Sequence, residues 1–87
     1  MKCGIMNNFS INFKMTDDKI WLGKFGIQIR LKRQSRGWSL RKLAHHCDID
    51  HSDLSRIELG KSNITILTLK EIASGLAIRV IDLLNFE

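Results

Sequence analysis

The sequence contains no proline and no tyrosine, and tryptophan and phenylalanine together supply an aromatic content of only 7%. Sandwiches and barrels draw heavily on aromatic strands and on turns marked by proline, so an all-α chain is favoured. Cysteine is scarce. Cys3 and Cys47 are the two present, too few for a disulfide framework. No stretch approaches the roughly 20 apolar residues of a membrane span. Nor does an apolar run of roughly 7–15 residues follow the first lysine, as it would in a secretory signal. The chain therefore reads as cytoplasmic. A glycine-rich phosphate loop, a CxxC or HExxH spacing and a carboxylate pair in a candidate pocket are all missing. Neither catalysis nor a cofactor or metal is expected, and no small-molecule ligand is evident.

Acidic residues are missing from one long stretch. From Lys24 to Lys42 the chain carries Lys24, Arg30, Lys32, Arg33, Arg36, Arg41 and Lys42 with no Asp or Glu among them. The chain as a whole has 14 Lys and Arg against 9 Asp and Glu, a net charge of +5. Such a concentration is the electrostatic footprint of a nucleic-acid partner, although a solvated helix face is an alternative source of the same pattern. At 87 residues and 44% hydrophobic content, the sequence suits one small domain with a thin core.

Residues 39–60, SLRKLAHHCDIDHSDLSRIELG, organise the rest. Leu40, Leu43, Ala44 and Cys47 recur at the three-four spacing of one helical face, and Leu54 and Ile57 do the same after a bend at Ile49. Ser39 and Asp50 stand where capping residues belong, and Asp53 falls in the first turn of the second helix, where an acid suits the dipole. Helices this short need tertiary packing to persist. Two of them meeting at a tight bend form a helix-turn-helix signal.

The spacing resembles the phage-repressor-like (Xre/Cro-type) helix-turn-helix transcriptional regulators. The matching residues are Ser39, Leu43-Ala44 and Ile57-Glu58-Leu59-Gly60, with Phe25-Gly26, Ile29-Arg30, Arg33 and Gly37-Trp38 upstream. Downstream come Leu69, Ile72-Ala73, Leu76 and Leu83-Leu84, so the likeness spans residues 22–86. It implies a five-helix, all-α domain that binds double-stranded DNA, commonly as a homodimer. Three departures stand out. Leu40 replaces the family's frequent Gln, Ile64 its frequent Pro, and Ala77 its usual Gly.

Along the chain, residues 1–15 are expected to be an N-terminal extension, disordered or a lone strand, because Phe9 to Met15 alternate apolar and polar. Residues 16–87 are expected to form the DNA-binding domain. Its first helix is expected to begin near Thr16 or Asp17 and to stop at Gly37. One side of that helix gathers Leu22, Phe25, Gly26 and Ile29, while Ile20, Ile27 and Leu31 fall roughly opposite. A helix apolar on both faces requires a cover for the second, either the leader or another subunit. Thr65 is expected to cap a fourth helix with Leu69, Ile72, Ala73 and Leu76 inward, and Val80 to Asn85 to form a last short helix.

The resemblance assigns roles by position. Arg33 and Glu58 are expected to form a structural ion pair, so that Glu58→Ala costs about 3 kcal/mol if the pair is buried, whereas two solvated charges are worth under about 1 kcal/mol. His51, Ser52, Ser55 and Arg56 match positions that read base edges, and Arg56 is suited to a bidentate contact with guanine. Leu40 (through its amide), Arg41, Lys42, Lys61, Ser62 and Asn63 match positions that meet DNA phosphate. Arg41 and Lys42 sit at the positive end of their helix, unfavourable unless an anion joins them there. His45, His46, Cys47 and His51 invite a metal reading, but adjacent helical histidines point about 100° apart. The sequence thus predicts a sequence-specific DNA-binding regulator, a repressor in preference to an activator. An antitoxin-like or adaptor protein-interaction module on the same fold is the alternative.

Overall fold

A computed structural model describes residues 3–86, with side chains from Asp17 onward. Five helices follow in order: α1 (Cys3–Ser35), α2 (Leu40–Cys47), α3 (His51–Glu58), α4 (Ile66–Gly75) and α5 (Val80–Leu84). No strand occurs among the described residues, and no described helix is long and apolar enough to cross a membrane.

Helix starts follow local chemistry. Ser39 Oγ accepts from the Lys42 amide at 3.1 Å, Asp50 Oδ2 from the Ser52 amide at 3.1 Å, and Thr65 Oγ1 from the Thr68 amide at 3.2 Å. Each satisfies one of the amides that a helix start leaves without a partner. At α5 the roles are reversed, and Asp82 accepts from the Arg79 amide and from both Nε and Nη2 of its guanidinium.

Helix stops share one device. After α1, α2, α3 and α4, a left-handed residue turns the chain: Gly37 (φ 70°), Asp48 (φ 56°), Gly60 (φ 75°) and Ala77 (φ 57°). In each case its own amide bonds the carbonyl three residues back, and the next amide bonds the carbonyl five back. After α1 these bonds are Gly37 to Gln34 at 2.9 Å and Trp38 to Arg33 at 3.3 Å. This closes the helix's orphan carbonyls. Asp48 and Ala77 do so without glycine's freedom, and Ala77 also lacks a polar side chain to compensate.

The core takes at least one fully buried aliphatic side chain from each helical segment: Ile29, Leu43, Leu54, Ile72 with Leu76, and Leu83. Phe25, Ala44, Cys47, Ile57 and Ala73 complete it. α1 packs on α3 and α5, α2 on α3 and α4, and α4 on α5. Burying a large aliphatic side chain contributes about 1.5–3 kcal/mol, so this small set carries much of the stability. Two helix contacts are backbone-close. A Cβ on Gly26 would run into the carbonyl of Glu58 and lie 2.7 Å from the Ile57 oxygen, and one on Gly60 would lie 2.7 Å from Gly23 Cα. α1 therefore crosses the end of α3 with backbone against backbone.

The start of α1 corrects the sequence reading. It lies at Cys3 rather than Thr16 or Asp17, and Phe9 to Met15 stand within the helix instead of in a strand. A lone alternating segment has no partner to complete its hydrogen bonds, whereas no proline separates it from the helix that follows. The contacts that residues 1–15 make, and hence their standing as an extension apart from residues 16–87, lie outside the described side chains. Ile20, Ile27 and Leu31 remain open, 52%, 53% and 55% exposed.

Candidate nucleic-acid interface

The recognition-helix candidate, α3, divides cleanly. Leu54, Ile57 and Glu58 are buried, while Ser52 and Arg56 are exposed and His51 and Ser55 are half-buried at the rim. Two shallow depressions join on this side. One, of about 530 Å³, brings Arg56 together with Ser62 and Asn63 of the α3–α4 loop. The other, also about 530 Å³, brings Arg41 of α2 beside His51. They share Asp48, Ile49 and Asp50 at the helix-helix turn. Arg41, His51, Arg56, Ser62 and Asn63 thus line two adjoining depressions on one side of the molecule. Arg41, Lys42 and Lys61 are exposed, and Leu40 is half-buried against the core.

The acids on this surface have defined work. Asp50 is the α3 cap, and its carboxylate also accepts from the Ser52 hydroxyl. The Ser52 side chain first, and its backbone second, hold the Asp50 carboxyl below the usual range. Asp50 therefore stays ionised at neutral pH with its charge turned to the helix start. Asp53 lies in the first turn, at the positive end of the dipole.

Behind the surface, Arg33 and Glu58 fasten α1 to α3. Arg33 Nε lies 2.8 Å from Glu58 Oε2, and Nη2 lies 2.9 Å from Oε1, a two-pronged contact with the geometry that guanidinium favours. Nη1 donates to the Trp38 carbonyl at 3.0 Å. Glu58 is 4% exposed through its side chain and Arg33 14%, so this is a buried pair rather than two solvated charges. Hydrogen bonding to Glu58 raises the Arg33 guanidinium above its ordinary value. Arg30 approaches the same carboxylate, its Nε 3.8 Å from Oε1. Sequence reasoning overlooked this second cation, although Arg30 precedes Arg33 by one helical turn on the same side.

Trp38 anchors a further cluster that no local pattern announces. Its ring stacks on His46, centroids 4.3 Å apart and planes within 5°. Arg36 and Lys42 each hold a cation over it, at 5.8 and 5.7 Å. Lys42 thus leans on an aromatic face at the start of α2, a partial answer to its unfavourable position in the helix dipole. Arg36 also donates to the carbonyls of Lys32 and Leu76, tying α1 to the end of α4. His46 is thereby committed to packing. Among the described residues no group of three His, Cys, Asp or Glu side chains converges on a metal position. Burial pushes the Cys47 thiol up to about 11, leaving it neutral.

Two short capped helices, the second tied to α1 by a buried ion pair, presenting a polar outer face beside a basic helix start, define a helix-turn-helix protein of the transcription-regulator class. The chain belongs to the helix-turn-helix family HTH_3, whose model matches residues 29–83. It is similar to the control protein C.BamHI of Bacillus amyloliquefaciens, 35% identical over 63 residues, or 71% of this chain and 78% of that one. To the control protein C.MunI of Mycoplasma sp it is 32% identical over 72 residues, 82% of this chain and 93% of the other. Among solved structures it resembles the restriction-modification controller protein C.AhdI of Aeromonas hydrophila, with TM-score 0.70 and 31% identity over 71% of this chain and 94% of that one.

Proposed function

We propose that this chain binds duplex DNA at specific sequences as a homodimer and regulates transcription by occupancy, as a repressor. One observation carries the reading: the outward face of α3, the start of α2 and the α3–α4 loop lie on one side of the molecule, while Asp50 caps α3 and Asp53 sits at the positive end of its dipole. In this reading His51, Ser52, Ser55 and Arg56 enter the major groove. Arg56 grips O6 and N7 of a guanine with two hydrogen bonds, while Ser52, Ser55 and His51 contact neighbouring base edges. Phosphates on either side meet the free amides of Leu40 and Arg41 at the α2 start, the Arg41 and Lys42 side chains, and Lys61, Ser62 and Asn63 in the loop. Two such units on a two-fold site place their recognition helices about 34 Å apart in successive grooves. No residue of this surface is assigned to chemistry. The likeness to control proteins supports a small transcriptional controller over an adaptor.

Selection of binding sites from random duplex DNA, at two salt concentrations, tests this directly. The expected result is an enriched two-fold motif whose binding weakens steeply with salt, since each phosphate contact releases counterions. Arg56→Ala relaxes preference at one base position per half-site, with about 1–3 kcal/mol of lost discrimination. Placing the selected site over a promoter in a purified transcription assay separates repression from activation. Absence of binding at low salt overturns the proposal and favours a protein partner.

A further inference from the structure

Lys42 is a charge in an awkward place with an ordered side chain. It is the third residue of α2, and its amide donates to Ser39 Oγ at 3.1 Å, so its ammonium springs from the positive end of the helix dipole. No carboxylate offsets it. Among the described residues the ion pairs are those of Arg30 and Arg33 with Glu58 and of Arg79 with Asp82. The side chain is exposed, yet Nζ stands 5.7 Å from the centroid of the Trp38 ring, within the roughly 6 Å over which a ring face attracts a cation.

The ring itself is fixed from several directions. His46, four residues after Lys42 on the same side of α2, stacks on it with centroids 4.3 Å apart. The Trp38 amide donates to the Arg33 carbonyl at 3.3 Å, and the Trp38 carbonyl accepts from Arg33 Nη1 at 3.0 Å. Arg33 is also the clamp on Glu58, so Trp38 is referenced to the last residue of α3. Arg36 brings a second cation to within 5.8 Å of the centroid, while also donating to the carbonyls of Lys32 and Leu76. Two like charges around one ring repel each other, a cost that an arriving anion removes.

We propose that Trp38 is a positioning residue for DNA: its ring holds the Lys42 ammonium at the α2 start, set for a phosphate that flanks the bases facing α3. The proposal rests on the reading of the chain as a DNA-binding regulator and gives a part in it to a side chain that need not touch DNA. A free lysine gives up rotamer freedom when it settles on a phosphate, whereas one already leaning on a ring has surrendered much of it beforehand. A phosphate is the fitting ligand, since the free amides of the helix start and the ammonium then bind one anion together. Loss of Lys42 therefore weakens binding to all duplexes alike and leaves the base preference as it was. Through Arg33, the same ring registers this outer contact to the pose of α3.

Fluorescence anisotropy of the full chain on its selected site and on an unrelated duplex, across about 50 to 200 mM salt, tests this. Lys42→Met, which keeps the stem and removes the charge, should lower the slope of log affinity against log salt by about 0.9 per bound copy. Over that fourfold range of salt the wild type then loses about 3.5-fold more affinity per copy than the variant. Trp38→Leu should lower the slope as much, and Trp38→Phe should retain it. Added to Lys42→Met, Trp38→Leu should take nothing more away, a pattern that a packing role alone does not produce. His46 is exposed, so His46→Ala puts little of the core at risk. It should lower the slope in part by freeing the ring, and it tests the ring even if Trp38→Leu fails to fold. An unchanged slope in Lys42→Met overturns the proposal. So does a wild-type slope in Trp38→Leu or His46→Ala, or a further fall when Trp38→Leu joins Lys42→Met. A wild-type chain that binds neither duplex at low salt overturns the regulator reading, and the proposal with it, an outcome distinct from binding that ignores Lys42.

Discussion

Replacing Glu58 with alanine removes both carboxylate bonds from Arg33 at once. Truncating one partner of a buried ion pair costs about 3–5 kcal/mol, mostly because the other charge is left uncompensated. Arg33 retains the Trp38 carbonyl at 3.0 Å and is 14% exposed, so water and backbone recover part of the loss. The low end, about 3 kcal/mol, is expected. Against a total stability of about 5–10 kcal/mol for a domain of this size, that lowers the melting temperature by about 12–24 °C. Urea titration followed by helical circular dichroism measures it directly. Arg33→Ala should cost a similar amount, and the double variant clearly less than the sum, because the second removal deletes a charge already stranded. A hydrophobic pair, Arg33→Met with Glu58→Leu, should come out near neutral or stabilising. A loss under about 1 kcal/mol for Glu58→Ala would show that the pair behaves as solvated charges and refute the reasoning.

Gly26→Ala should severely destabilise the fold, by about 3 kcal/mol or more, because the new methyl meets backbone carbonyls that have no rotamer to change. Gly23→Ala, with nothing within 4 Å of its Cβ, should instead be neutral or stabilise α1 by up to about 1 kcal/mol; thermal melts of the two variants side by side decide the point. Ala77→Gly should raise stability by about 0.5–1 kcal/mol, since Ala77 holds φ at 57° and the relief exceeds the added freedom of the unfolded chain. Stability should also fall as pH rises past 9 toward 11. The Cys47 pKa is raised to about 11 from 9.0, so the folded state keeps a proton that the unfolded state has released. Cys47→Ala should flatten that slope in urea titrations at successive pH values, and the native thiol should resist alkylation until the chain unfolds.

Much of this architecture is written in short-range signals. Ser39, Asp50 and Thr65 cap helices within three residues of themselves, and the inward positions of α2, α3 and α4 repeat every three or four residues. Both kinds of information are local. The start of α1 is different, because no cap or breaker marks it, and the period-two alternation at Phe9 to Met15 pointed to a strand. Gly26 was legible only as a small member of the apolar side. Its role is the missing Cβ, which matters because α3 arrives there from 32 residues further along the chain. The Trp38–His46 stack and the Arg36 bond to the Leu76 carbonyl likewise join segments whose meeting depends on the finished packing. For the candidate site, helical period separated the inward from the outward side of α3. That Lys42 rests on Trp38 was not readable, since both residues follow ordinary surface patterns.

The meeting of Gly23 and Gly26 with the end of α3 has a consequence for how such a protein diversifies. The pose of α3 is held by Leu54 and Ile57 in the core, by backbone against backbone at Gly26 and Gly60, and by the charge clamp at its last residue. The side chains at 51, 52, 55 and 56 make little contribution to that pose. Substitutions there can accumulate without retuning the scaffold, so the outer face of α3 behaves as an exchangeable reading head. Transplanting those four residues between relatives should carry the DNA preference across and leave the melting temperature nearly where it was.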